Sequence, residues 1–293
     1  MNTINTQTFA AALEDEVDFA RRFGGIARLY GERALERFRA AHVCVIGVGG
    51  VGSWVVEALA RSAIGHLTLI DLDNVAESNI NRQIQALSST IGQPKIEALA
   101  QRIAQINPFC QVTLVEDFID AGNLEQMIGG PPDVARFDYV VDAIDSVKAK
   151  AALIAYCRAR SIPLITIGGA GGQLDPTRIE VRDLARTEQE PLLKKVRKIL
   201  RAHYGFPRGE KNKYNIDAVF SMEPLRYPDS GDACEVDANS ITGLNCAGFG
   251  SSMVVTASFG MIAAGHLLRK LAEAANAGPV SEETVQEEEA LLS

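Results

Sequence analysis

Short apolar runs that end in glycine or a carboxylate alternate along this chain with stretches whose apolar residues recur every three or four positions. The run His42–Gly47 is β-branched and predicts a strand, and Ser53–Ser62 behind it has helical spacing. His66–Asp71, Val112–Val115, Phe137–Asp142 and Pro163–Ile167 repeat the strand pattern. Pro94–Ile106 and Lys148–Arg160 repeat the helical one. The first of these stops before Asn107-Pro108, because the residue ahead of a proline avoids helical geometry. Residues 27–40 predict a further helix near the start. Strands alternating with helices imply an α/β fold: a doubly wound, mostly parallel Rossmann-like sheet with helices on both faces.

After Gly172 the pattern changes. Arg178–Asp183 and Ala218–Met222 read as strands of an appended antiparallel part, separated by a long basic insertion over residues 186–214. A glycine-rich loop and a helix from about Ser251 to Ala272 follow. Residues 1–20 read as a loose acidic arm, and residues 273–293 as a disordered acidic tail.

Composition narrows the function classes. The 293 residues carry a net charge of −8, which argues against indiscriminate nucleic-acid binding by the molecule as a whole. Residues 194–213 within the insertion reverse that sign locally: Lys194, Lys195, Arg197, Lys198, Arg201, Arg208, Lys211 and Lys213 face the single acid Glu210. Such a cluster could contact RNA phosphates while Tyr204, Phe206 or Tyr214 stacks on a base. It reads equally as a solvated crossover loop. The five cysteines form no C-x-x-C pair, so neither a disulfide framework nor a structural zinc site is expected, and a reducing cytoplasm is the simplest setting. Cys44, Cys110 and Cys157 lie on apolar faces. Cys234, flanked by acids that would raise its pKa, is a weak candidate nucleophile. Residues 238–268 lack any charged side chain, yet are rich in Gly, Ser, Thr and Asn. They read as a loop and a buried helix rather than a membrane span.

The candidate chemistry starts at Gly47-Val48-Gly49-Gly50-Val51-Gly52-Ser53. Glycines at a strand-to-helix turn let backbone N–H groups approach a phosphate at a helix N-terminus. Alone, that pattern also fits an ordinary dinucleotide site. Asp71, at the end of the next strand, suits ribose hydroxyls in either case, and Asp73 reads as a turn residue. Asn79, Arg82, Gln83 and Lys95 tip the balance, because a triphosphate needs cations near its outer phosphates and a nicotinamide does not. Asp145 can ligate Mg²⁺ beside phosphates, and Asp142 reads as a helper or helix cap.

Gly47-x-Gly49-Gly50-x-Gly52-Ser53, Asp71-x-Asp73, Ser78-Asn79-x-x-Arg82-Gln83, Lys95 and Asp142-x-x-Asp145 resemble the adenylation domain of ubiquitin-activating-type enzymes, over roughly residues 20–170. A narrower resemblance reaches about residue 270. Residues 22–31 (RFGGIARLYG), Ile167–Gln173, Asp175-Pro-Thr, Val219-Phe-Ser221 and Gly248-Phe-Gly250 are similar to the tRNA threonylcarbamoyladenosine dehydratase family. The resemblance implies an ATP-binding adenylation domain over 21–170 and a substrate-binding continuation over 171–272. It implies ATP and Mg²⁺ as cofactors, with Asp71 on the ribose, Asn79, Arg82 and Lys95 on the phosphates, and Asp145 on the metal. It further implies a homodimer acting on tRNA. Activators of sulfur-carrier proteins usually show Arg-Tyr-x-Arg-Gln near the N-terminus and two zinc-binding C-x-x-C pairs. Here Gly25 stands at the second arginine's place, leaving Arg22 or Arg28 as substitutes, and the cysteine pairs are missing. Three readings follow. The first is an ATP-dependent dehydratase of threonylcarbamoyladenosine in tRNA. The second is an adenylating activator of a small ubiquitin-like or sulfur-carrier protein, with a cysteine desulfurase or sulfur acceptor as partner. The third is a nucleotide-binding module without turnover.

Overall fold

The computed structural model describes residues 17–130, 136–209, 212–227 and 249–277. Two helices, α1 (Phe19–Tyr30) and α2 (Glu32–Ala40), precede the sheet. The helix expected over 27–40 is therefore two helices. Gly31, at φ +96°, turns the chain between them in a conformation that non-glycine residues rarely adopt. Of the loose arm expected over residues 1–20, residues 1–16 lie outside the described residues, and Phe19 and Ala20 are helical because Asp18 accepts the Arg21 N–H and caps α1.

Among the described residues, seven strands form one sheet in the order β3-β2-β1-β4-β5-β7-β6. They are β1 (His42–Ile46), β2 (His66–Ile70), β3 (Gln111–Val115), β4 (Tyr139–Asp142), β5 (Leu164–Ile167), β6 (Ile179–Asp183) and β7 (Asp217–Ser221). All neighbouring pairs are parallel except β6 with β7, which is the antiparallel part expected after Gly172.

Alternate side chains of each strand go to opposite faces, as a two-residue period requires. Val43, Val45, Leu67, Leu69, Val141 and Ile165 enter one core. That core is covered by α2, α3 (Gly52–Arg61), α4 (Lys95–Ile106) and α8 (Met253–Asn276). Cys44, Ile46, Ile70, Val140, Leu164 and Phe220 enter the other, under α5 (Leu124–Met127), α6 (Val147–Ala159) and α7 (Pro191–His203). Each fully buried Leu or Val contributes about 1.5–3 kcal/mol relative to exposure, so the two layers together fix the sheet. Cys110, expected in the core, is only partly buried.

Two segments depart further from expectation. The basic insertion is not an open loop: residues 191–203 form α7, which buries Leu192, Leu193, Val196 and Leu200. Its apolar stripe is easily lost among lysines and arginines in the sequence. The last helix runs to Asn276, past the expected limit of 272, so the first residues of the supposed tail are helical. Residues 278–293, Cys234 and Cys246 lie outside the described residues. Helix α8 packs Val255, Phe259, Ala263, Leu267 and Leu271 into the core. Among the described residues, no helix is long and apolar enough to cross a membrane.

Candidate active site

Strand order reverses direction beside β1, where β2 and β3 lie on one side and β4 and β5 on the other. In doubly wound sheets, ligands bind at such a switch point, outside the carboxyl ends of the strands. A cleft of about 1000 Å³ opens there. Its floor is the turn from β1 into α3. Gly47 has φ +80°, and a Cβ on it would lie 2.9 Å from the Ala143 carbonyl oxygen. A Cβ on Gly52 would lie 1.8 Å from the Gly47 carbonyl oxygen. Both positions therefore exclude side chains. Gly49 and Gly50 line the cleft, whereas Ser53 is fully buried and its Oγ has no hydrogen-bond partner among the described residues.

Asp71 leaves β2 directly above this turn. One carboxylate oxygen accepts the Val48 N–H at 2.7 Å, and the other accepts the Asp73 N–H at 2.9 Å. Burial pushes its carboxyl above the usual carboxylate range, and Lys95 and the two N–H groups oppose that push. Lys95, at the first position of α4, is buried. Its Nζ lies 2.6 Å from Asp73 Oδ2 and 3.9 Å from Asp71 Oδ1. Asp73 is thus the lysine's ion-pair partner as well as a turn residue.

Arg82 projects into the same cleft. Its Nη1 donates to the Ser78 carbonyl and to Asn81 Oδ1, and among the described residues no carboxylate pairs with it. The main chain around it is held from three sides. Trp54 Nε1 donates to the Arg82 carbonyl at 2.9 Å, Asn81 Nδ2 donates to the Ser251 carbonyl, and the Met253 N–H donates to the Asn81 carbonyl. Gln85 ties this segment to the glycine turn, donating from Nε2 to the Val48 carbonyl and to Gln83 Oε1. Gln83 lines the cleft. Asn79 does not: it is buried, and its Oδ1 accepts the Ala76 N–H to close the short helix Glu77–Asn79.

Asp145 lines the opposite wall, exposed at the turn between β4 and α6, with Ser146 and Lys148 beside it. Asp142, by contrast, is completely buried. It accepts the Ile144 N–H and the Thr166 hydroxyl and pairs with the equally buried Lys150 at 2.8 Å. That pair anchors the turn that presents Asp145. Its lysine escaped the sequence reading, because a lysine inside an amphipathic stretch looks solvated.

Helix α7 forms the far wall. Glu190 caps it, accepting the N–H groups of Leu192 and Leu193, and also accepts the Gly169 N–H at 2.9 Å. The basic helix is thereby attached to the loop after β5. Of the proposed RNA contacts, Lys194, Lys195 and Lys198 are exposed. Arg197 donates to the Thr187 hydroxyl and Arg201 to the Tyr214 hydroxyl, so both arginines are engaged internally. Tyr214 and Phe206 are buried and cannot stack on a base, which leaves Tyr204. At the N-terminus, Arg28 is exposed, while Arg22 donates to the Gln105 and Ile106 carbonyls at the end of α4.

The fold and this cleft define a doubly wound α/β protein whose switch-point cleft is floored by a glycine turn and lined by Arg82 and Lys95 on one side and Asp145 on the other. The chain belongs to the ThiF family, whose model matches residues 23–287. It is similar to the tRNA threonylcarbamoyladenosine dehydratase of Haemophilus influenzae, with 51% identity over 255 residues spanning 87% of this chain and 94% of that protein. The Escherichia coli protein of the same name is 52% identical over 263 residues, covering 88% of this chain and 96% of the relative. The crystal structure of E. coli tRNA N6-threonylcarbamoyladenosine dehydratase in complex with ATP superimposes with a TM-score of 0.78 at 50% identity. That superposition covers 89% of this chain and 98% of the other.

Proposed function

We propose that this protein uses ATP to dehydrate N6-threonylcarbamoyladenosine in tRNA, closing a ring on the threonyl side chain of the modified base. The observation that carries the reading is the cleft itself. A glycine turn, Arg82, Lys95 and Asp145 converge at the switch point of a chain that is half identical, over nearly its whole length, to dehydratases of that name.

The chemistry suits these groups. A carboxylate is a poor electrophile. Its oxygen attacks the α-phosphorus of ATP, the bond to the bridging oxygen breaks, and pyrophosphate leaves. An atom of the carbamoyl group then attacks the activated carbonyl carbon, and AMP departs with the oxygen. Ring closure within one molecule gains a large effective concentration. The turn at Gly49 and Gly50 presents N–H groups and the dipole of α3 to the phosphates. Arg82 and Lys95 offset the charge on the pyrophosphate side, where a phosphate competes with Asp73 for the lysine. Asp71 accepts from the ribose hydroxyls. Asn79 supports the Arg82 turn rather than meeting phosphate.

The donor set fits Mg²⁺ carried by the nucleotide. Such an ion usually takes one or two carboxylates together with phosphate oxygens and water. Among the described residues no three metal-binding side chains converge, and Asp145 is an exposed carboxylate of the cleft that makes no ion pair among them. Asp145 would hold the ion, which would supply charge neutralisation to the leaving group.

The same reading sets the protein in the cytoplasm as a pair of copies. Exposed Met253, Val254 and Met261 on α8 support self-association, which light scattering would measure. The test of function is direct. Incubate the protein with ATP, Mg²⁺ and threonylcarbamoylated tRNA, and analyse the nucleosides by mass spectrometry. Loss of one water from the modified adenosine is expected, and an unchanged nucleoside rejects the reading.

A further inference from the structure

The cleft is large enough for more than ATP. Its volume lies at the upper end of the range for small-molecule pockets. Two exposed aromatic side chains line it, at different ends. Phe118 follows β3, beside the strand that carries Asp71, so a nucleoside held by its ribose on Asp71 directs its base toward Phe118. Tyr204 ends α7, which packs on α6 and is attached to the loop after β5, on the other side of the glycine turn.

Tyr204 is a fixed platform rather than a loose surface residue. It is the C-cap of α7, its N–H donating to the Leu200 carbonyl, and Gly205 follows at φ +67°. The next residue, Phe206, returns to the core. Its N–H also donates to the Leu200 carbonyl, its ring meets Tyr214 edge-on at 4.9 Å, and the Arg158 guanidinium lies 4.3 Å above it. With the chain pinned on both sides, Tyr204 is 42% exposed and faces the cleft. Leu192, Ile199 and His203, spaced at helical intervals, line the cleft along the same helix. Lys195 falls on the edge of that stripe, and Lys194 and Lys198 lie on the outer face.

We infer that Tyr204 stacks on the modified adenine of the tRNA, while the lysines of α7 hold the neighbouring phosphates. The inference rests on the dehydratase reading above. Stacking is insensitive to a ring hydroxyl but needs the ring. The base stays at the end of α7, and its threonylcarbamoyl arm reaches inward toward Asp145 and the glycine turn.

The test compares Tyr204→Ala, Tyr204→Phe and Tyr204→Trp in the water-loss assay, with tRNA and ATP varied separately. Removing one base-stacking ring is expected to lower kcat/KM for tRNA roughly tenfold to a hundredfold. The KM for ATP should stay within about twofold, and the Phe and Trp variants should stay close to wild type. The salt dependence of Tyr204→Ala should match wild type, since no phosphate contact is lost. Unchanged kcat/KM for tRNA in Tyr204→Ala would overturn the assignment. So would a rise in the ATP KM that accounts for the whole effect, which would put the ATP base there instead. Absence of product from the wild-type protein would reject the dehydratase reading and is seen before any variant is made.

Discussion

The two ends of strands β1 and β2 carry polar groups of similar kinds and treat them oppositely. At the amino ends, His42 and His66 stack in parallel with ring centroids 3.5 Å apart, donating to or accepting from Thr68 and Thr113. Asp138 accepts the His42 N–H and pairs with Arg37. Every one of these groups is satisfied by another protein group. At the carboxyl ends, Asp71, Arg82, Lys95 and Asp145 line open space; Asp71 and Lys95 are tied to neighbouring groups, while Arg82 and Asp145 make no ion pair among the described residues. One end spends its polar groups on holding the sheet together, and the other leaves two of its charges facing the open cleft. Similar chemistry makes structure or function according to whether its partners are supplied by the fold.

Substitution at the open end should abolish chemistry without unfolding the protein. Arg82→Ala or Asp145→Ala is expected to lower turnover at least about a hundredfold, the scale of losing one preorganised charge partner. Circular dichroism and the urea midpoint should stay near wild type. Near-normal turnover in either variant would remove that residue from the site.

The buried ion pair beneath that end should behave oppositely. Lys150→Met leaves Asp142 charged and unpaired in the core, which costs roughly 3–5 kcal/mol of stability. A urea titration should show the lower midpoint, and an unchanged midpoint would mean the pair is dispensable.

A smaller effect is expected on the rim. Lys194, Lys195 and Lys198 all changed to Ala should raise the KM for tRNA and reduce its salt slope by up to about 3, one unit per lost phosphate contact. An unchanged slope would take α7 out of the RNA surface. Arg197 is left in place because it bonds Thr187 within the fold.

The closed end should show only in acid. Burial, followed by the neighbouring His66 and Arg136, lowers the pKa of His42 to about 4 from 6.5. The unfolded chain therefore takes up this proton more readily than the folded one, and stability falls as pH drops from about 6.5 toward 4. His42→Gln should make that decline shallower, as measured by urea midpoints between about pH 7 and pH 4.5. It should not flatten the decline fully, because burial lowers the His66 pKa as well. An identical decline in the variant would place the acid sensitivity elsewhere.

The alternation of strands and helices, the glycine turn, Asp71, Arg82, Lys95 and Asp145 were legible along the chain, because each depends on local spacing or on a motif with one backbone geometry. The seven-strand order, the burial of Lys150 and the loss of Tyr214 and Phe206 as stacking residues were not. Whether a lysine is solvated or paired with Asp142, and whether an aromatic ring faces the core or the cleft, depends on elements brought together from distant parts of the sequence. The same limit hid α7, whose four buried apolar residues are outnumbered by charge until a surface exists for them to cover. The sequence by itself determined the glycine turn between β1 and α3, since its spacing has one local backbone geometry. Only the tertiary structure decided which basic and aromatic groups remain exposed for a second ligand, since that depends on which of them packing and internal hydrogen bonds have already engaged.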